Sequence, residues 1–220
     1  MSKFLAPIHT WLFNKIKLYE NLEANLVKAY QDKYGDEVTN LYNKIAEKYG
    51  YPLPNKPLEE LIDVSNIHGW LQNKISIAET RHAAFITEMS NKYNSDDILD
   101  IALTSYSEQG AECGEFEKEN SSFSSAEEFY NTINNYIIEG MPCDRVNSIT
   151  LSTENKVQWE TERCLHKSHW EEVGGNINIF YKLREVWIRS FIESINSNFT
   201  YNVTYNNGAT PILIHEIIKR

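Results

Sequence analysis

Val157-Gln-Trp-Glu-Thr-Glu-Arg-Cys-Leu-His-Lys-Ser-His-Trp-Glu-Glu-Val-Gly174 is the stretch whose reading decides the fold. It opens by alternating, Val157 and Trp159 against Gln158 and Glu160, which is the period of a half-buried strand. It closes as the first turns of a helix stopped by Gly174-Gly175. Cys164, His166 and His169 fall at the junction. A strand-to-helix junction can present reactive side chains and free backbone N–H groups on a rigid support.

Reading outward, Val146 to Leu151 and Val157 to Thr161 flank a polar turn at Thr153-Glu-Asn-Lys156, which predicts a β-hairpin. Ile177 to Ile195 is a strongly apolar helix. Phe199 to Tyr205 and Ile212 to Ile218 flank Asn206-Asn-Gly208, a second hairpin with a strong turn signal. The order ββααββ predicts an antiparallel sheet of about four strands with helices on one face. Upstream, residues 96–119 read as a helix in which Gly110 and Gly114 permit close approach of a backbone or a ligand. Cys113 between them is expected to be a small buried hydrophobe. Ser124 or Ser125 caps a further helix expected to run from Ala126 to Gly140.

The N-terminal part repeats itself. Ile8-His-Thr-Trp-Leu-Phe-Asn-Lys-Ile16 returns as Ile67-His-Gly-Trp-Leu-Gln-Asn-Lys-Ile75, and Glu20/Glu79 and Ala24/Ala83 continue the match. Apolar residues three and four apart mark both copies as helices, with a helix near Thr39–Lys48 and a proline-rich loop between them. The copies should therefore run roughly parallel about a pseudo-twofold axis. His9 and His68 become equivalent, as do Trp11 and Trp70. Two imidazoles meeting at that axis could bind a metal or a haem. Alternatively, His, Trp and Asn form a duplicated packing and hydrogen-bond motif. Glu20 lies roughly 16 Å along the helix from His9 and cannot complete a site with it, which favours packing. The fold class is α+β, with residues 1–95 a helical region and 96–220 an α+β domain.

A net charge of −10, with 31 acidic against 21 basic residues, disfavours nucleic acid and anionic membranes as partners. No signal peptide and no membrane-spanning run is visible, and three cysteines read as reduced thiols, so a cytoplasmic protein with a small-molecule ligand is expected. An oligomer stays open.

From Tyr106 onward the layout resembles the L-2-amino-thiazoline-4-carboxylic acid hydrolase family and, more distantly, 4-vinyl-reductase ligand-binding domains. Carrying the resemblance are Gly110 and Gly114 in a polar helix, Phe129 in the capped helix, Arg163-Cys164 before Trp170 and Gly174, and Gly208 in the final hairpin. Leu165 stands where that pattern has proline, and Ala209-Thr210-Pro211 where it has an acidic residue and a cysteine. The resemblance implies a small-molecule site between sheet and helices and hydrolysis of a cyclic amidine or similar C=N bond.

Three readings of the junction stay open. Cys164 is a nucleophile with His166 and His169 as proton carriers, since a nearby imidazole and a helix N-terminus both favour the thiolate. Alternatively Cys143, Cys164, His166 and His169 bind zinc, His166 and His169 sharing a helix face. Or Cys164 is buried and both histidines lie on a solvated helix. Arg163, Trp170 and Arg184 are the expected substrate-binding residues, the arginines suited to a carboxylate. The leading function is thus a hydrolase-like enzyme for a small polar molecule; the other is a non-catalytic small-molecule, metal or haem sensor.

Overall fold

The computed structural model describes residues 5–206 and 212–220. Eight α-helices and four strands are found among them: α1 Pro7–Tyr34, α2 Glu37–Tyr49, α3 Leu58–Leu61, α4 Ile67–Lys92, α5 Ser95–Asn120, α6 Ala126–Ile133, β1 Asn147–Ser152, β2 Lys156–Thr161, α7 Lys167–Glu172, α8 Ile177–Ile195, β3 Phe199–Asn206 and β4 Ile212–Lys219. A 3₁₀ turn at Pro142–Asp144 precedes β1. The fold class is α+β. No helix among the described residues is long and apolar enough to cross a membrane.

The chain forms two compact units that interleave along the sequence. The helical unit takes the chain up to Ile101, then Asn135–Met141 and His166–Ile177. The sheet unit takes Ala102–Asn134, Pro142–Leu165 and Asn178–Arg220. Half of the stretch quoted above, His166 onward, therefore belongs with the N-terminal helices.

In the helical unit the two repeat-bearing segments are α1 and α4. Pro7 opens α1 where its missing N–H costs nothing, and the Asn66 side chain caps α4 by accepting from the Gly69 N–H at 3.2 Å. The helices run parallel, because residues early in α1 meet residues early in α4 and late meet late: His9 with His68, Glu23 with Arg81, Tyr30 with Phe85, Tyr34 with Tyr93. Leu12, Phe13 and Ile16 of α1 pack with Leu71, Ile75 and Ala78 of α4, joined by Leu53, Leu58 and Ile138. Residues 78 to 87 of α4 are all buried, with no face left to solvent. A helix enclosed on all sides is normally apolar all round. This one carries Glu79, Thr80, Arg81 and His82 in succession.

In the sheet unit the strand order is β1-β2-β4-β3, every pair antiparallel. On β2, Val157, Trp159 and Thr161 are buried while their neighbours are half-exposed, as the alternation predicts. Trp159 lies opposite His215 and Tyr201 opposite Ile217. α6 covers this face, Phe129 against Phe199 and Tyr130 against Trp159. The Asn206-Asn-Gly208 turn expected from the sequence lies outside the described residues from position 207. Gly110 and Gly114 do serve close approach, and the partner is a backbone. A Cβ on them would lie 2.3 Å from the carbonyl oxygens of Trp187 and Phe191 on α8. The expected helix from Ala126 to Gly140 is corrected: α6 stops at Ile133. Asn134 turns its side-chain amide back onto the Tyr130 carbonyl at 2.9 Å, and a second poor helix former, Asn135, follows.

Candidate acid–base site

Four polar side chains meet inside the helical unit. Glu79 comes from the middle of α4. His166 is the residue that starts α7, and His169 follows one turn later, so both imidazoles face the same way. Glu139 comes from the irregular segment after α6. His166 Nδ1 lies 2.5 Å from Glu79 Oε1, and His169 Nε2 lies 3.3 Å from Glu79 Oε2. Each carboxylate oxygen thus serves one imidazole. The remaining nitrogens are also engaged: Thr80 Oγ1 is 2.8 Å from His169 Nδ1, and Glu139 Oε1 is 3.4 Å from His166 Nε2.

Protonation follows from these contacts. Burial pushes the Glu79 carboxyl up, but the charge and hydrogen bonds of His166, and then of His169, outweigh burial and hold it down at about 2. An ionised carboxylate only accepts, so His166 donates through Nδ1–H and His169 through Nε2–H. His166 stands between two carboxylates, Glu79 on Nδ1 and Glu139 on Nε2.

Behind this cluster lies a second buried charge group. Arg81 Nε donates to Glu23 Oε1 at 2.9 Å, and its Nη2 to Glu23 Oε2 at 2.9 Å and Glu20 Oε1 at 3.1 Å. Arg81 Nη1 reaches the Gly50 carbonyl, and Glu20 also accepts the Leu53 N–H. The bonds to Glu23 raise the Arg81 pKa further despite burial, so the guanidinium stays charged. Burial, then the charge of Arg81, drives the neighbouring His82 down to about 3, which keeps it neutral.

Of the residues predicted from sequence, His166 and His169 are brought together. Cys164 is half-buried and Cys143 exposed, and both belong to the sheet unit. Among the described residues no group of three or more His, Cys, Asp or Glu side chains is arranged to hold a metal ion. Of the expected zinc set Cys143, Cys164, His166 and His169, the two histidines have their nitrogens engaged by Glu79, Glu139 and Thr80. Trp170 is fully buried, with Gly175 against its ring. The Arg163 side chain is largely exposed, 3.8 Å from Asp144, and Arg184 lies over the Phe180 ring.

The repeated histidines do meet. His9 Nε2 and His68 Nε2 are 3.2 Å apart. The Ala6 N–H donates to His9 Nδ1 at 3.0 Å, which leaves the proton of neutral His9 on Nε2, pointing at His68. That is a hydrogen bond between helix starts. The Ala6 N–H thus takes the lone pair of His9, and the His9 Nε2–H takes that of His68. Trp11 Nε1 donates to Asn135 Oδ1 at 3.0 Å.

Sequence reasoning did not assign Glu79, Thr80, Arg81 or Glu139 a role. One signal was present: four polar residues in a row between Ala78 and Ala83-Ala84 break the apolar stripe of a helix and mark one enclosed on every side. Glu139 had none. Comparison with family models, with curated proteins and with solved structures gives no match to this chain.

Proposed function

We propose that the chain is a hydrolase-like enzyme acting on a small polar molecule, with Glu79, His166 and His169 as its acid–base centre. One observation carries the reading: a buried carboxylate holds two imidazoles, one on each oxygen. A carboxylate that fixes an imidazole's orientation and stabilises its cation is what general acid–base catalysis needs. Each imidazole would exchange its proton through the nitrogen that now faces Thr80 or Glu139, so substrate and water must take the place of those two partners. In hydrolysis of a C=N bond, water oxygen adds to the carbon while one imidazole takes a water proton. The other imidazole, as its cation, gives a proton to the nitrogen; the adduct then collapses as the first imidazole gives its proton to that nitrogen, the second takes the hydroxyl proton, and the C–N bond breaks with its electron pair on the departing amine as the carbonyl forms. A cyclic amidine or thiazoline is the substrate class the sequence resemblance suggests.

The test is a screen of cyclic amidines and thiazolines with purified protein, read by product formation. Glu79→Gln should lower kcat by about 10²–10⁴-fold, the usual contribution of a positioned acid–base group. Saturable binding of a tested compound with no turnover, unaffected by Glu79→Gln, would replace this reading with the non-catalytic one.

A further inference from the structure

We propose that His9 and His68 form an acid-sensitive latch between the starts of α1 and α4, a hydrogen bond that holds only while both imidazoles are neutral. The proposal does not depend on the acid–base reading of Glu79.

The spacing of 59 residues that relates His68 to His9 also relates Lys92-Tyr93 to Lys33-Tyr34. Equivalent side chains therefore meet at both ends of the parallel helices. His9 meets His68 at the start, and Tyr34 stacks on Tyr93 at the finish with ring centres 4.1 Å apart. The two ends differ in chemistry. The tyrosine rings stack without a shared proton, whereas the imidazole nitrogens share one across 3.2 Å. That proton has a fixed direction. The Ala6 N–H occupies His9 Nδ1 at 3.0 Å, so His9 donates through Nε2–H and His68 Nε2 accepts. A proton arriving at His68 Nε2 sets two N–H groups against each other. A proton arriving at His9 Nδ1 expels the Ala6 N–H. If His68 becomes the donor instead, the His9 proton must move to Nδ1, which again expels Ala6. Every protonation of the pair costs a bond.

The surroundings do not offset that cost. His9 and His68 each lie in the first turn of a helix, at the positive end of its dipole, and neither first turn holds an acidic residue. In the turn before α4, the Asp63 carboxylate accepts from the Ser65 N–H at 2.9 Å and from its hydroxyl at 2.6 Å. Glu139, on the segment beside α1, faces His166. Lys15 and Lys74 lie over the Trp11 and Trp70 rings at 3.6 and 5.6 Å, and both add positive charge. Burial, and then the charge of His68, lowers the pKa of His9. A lowered value means that the latch is complete above the ordinary 6.5 and is lost as the pH falls below it. His68 is exposed, so solvent delivers the proton directly. Opening frees the turn that carries Trp11, whose indole N–H holds Asn135.

The experiment is amide hydrogen exchange of the full chain from about pH 7.5 down to about pH 5, the range in which an imidazole changes charge. Rates are expressed as protection factors, which removes the intrinsic effect of pH on exchange. Protection of Ala6 and the first turn of α1 should fall at least about tenfold across that range in the wild type. Protection at Tyr30 to Tyr34 should hold. His68→Gln keeps an acceptor for His9 and gains no charge. It should match the wild type at about pH 7.5 and exceed it at least about threefold at about pH 5. His68→Ala removes the acceptor and should show the opened level already at neutral pH. Flat Ala6 protection in the wild type overturns the proposal, and so does an equal loss in wild type and His68→Gln. Proton–nitrogen spectra of the imidazoles test the wild type alone, should a variant fail to fold. His9 should carry its proton on Nε2 at neutral pH, and proton uptake by the pair should coincide with loss of Ala6 protection. A His68 that titrates while the His9 tautomer and the Ala6 amide stay fixed overturns the latch.

Discussion

Each unit buries a polar chain, and the two chains are built on opposite principles. In the sheet unit it crosses all four strands. Tyr201 on β3 is 2.6 Å from His215 Nδ1 on β4; His215 Nε2 is 3.1 Å from Thr161 Oγ1 on β2; Thr161 donates to Asn147 Oδ1 on β1 at 2.5 Å. The last bond sets all the others. Thr161 has spent its proton on Asn147, so it accepts from His215 Nε2–H, and Nδ1 accepts from the Tyr201 hydroxyl. No carboxylate, ammonium or guanidinium takes part in these contacts. In the helical unit the buried groups are acids and bases in contact: Arg81 with Glu20 and Glu23, then Glu79 with two imidazoles. A chain of hydrogen bonds across the strands fixes register, because a one-residue slip would turn its members to the other face. A charged cluster can exchange protons and is expensive to leave half-made. The contrast separates scaffold from candidate chemistry.

The largest expected effect comes from breaking the ionic side. Arg81→Met leaves Glu20 and Glu23 buried without their shared cation. Removing one partner of a buried ion pair costs about 3–5 kcal/mol. Urea denaturation should show that loss, with unfolding of the variant at ambient temperature as its limit; a change under about 1 kcal/mol would mean that the carboxylates are reached by water.

Next in size is the response to acid. The folded Glu79 carboxyl sits at about 2 against an ordinary 4.5. A depressed folded value means its contribution is complete above about pH 4.5 and is lost as the pH falls toward about 2, on the order of 3 kcal/mol in all. His82, about 3 against 6.5, works in the same sense over a higher window, since the unfolded chain takes up the proton first as pH drops below 6.5. Stability should therefore decline in two stages on acidification. Glu79→Gln should flatten the lower stage and leave the upper one, a result visible in denaturation midpoints measured from pH 7 to pH 3.

What the sequence disclosed divides along the same line. Strand alternation at Val157 to Thr161 and the apolar spacing of Ile177–Ile195 are local patterns, and β2 and α8 follow them. The repeat implied parallel helices and an imidazole pair, and both are present. Positions His166 and His169 were legible because a spacing of three fixes a shared helix face. Their partner Glu79 lies far off along the chain, and no local pattern specifies which distant carboxylate an imidazole will find. Glu139 was hidden for a further reason: its segment was read as helix, and only the early stop at Asn134 frees it. Gly110 and Gly114 announced a close approach but could not say that α8 was the partner.

The chain across the strands should be cheaper to break. Thr161→Val keeps shape and burial while removing the acceptor for His215 and the donor for Asn147. The cost should be about 1–3 kcal/mol, below that of Arg81→Met. Tyr201→Phe at the other end should be coupled to it, because both act through one imidazole. A double-mutant cycle should give an interaction of at least about 0.5 kcal/mol, and strict additivity would show that the bonds are independent.

The smallest effect belongs to Arg163, expected from sequence to bind substrate. Its side chain is 66 % exposed and meets Asp144 at 3.8 Å. An exposed pair at that distance is screened by water and salt, and holding two mobile side chains together offsets much of the attraction. Arg163→Ala should therefore change stability by no more than about 0.5 kcal/mol. That near-silence makes the variant informative, because any effect on substrate handling stands out against an unchanged fold. A raised KM with kcat and melting temperature intact would assign Arg163 to uniform binding of substrate. Unchanged kinetics would leave it a surface residue, and the search for the group that orients substrate would move to the buried charges around Glu79.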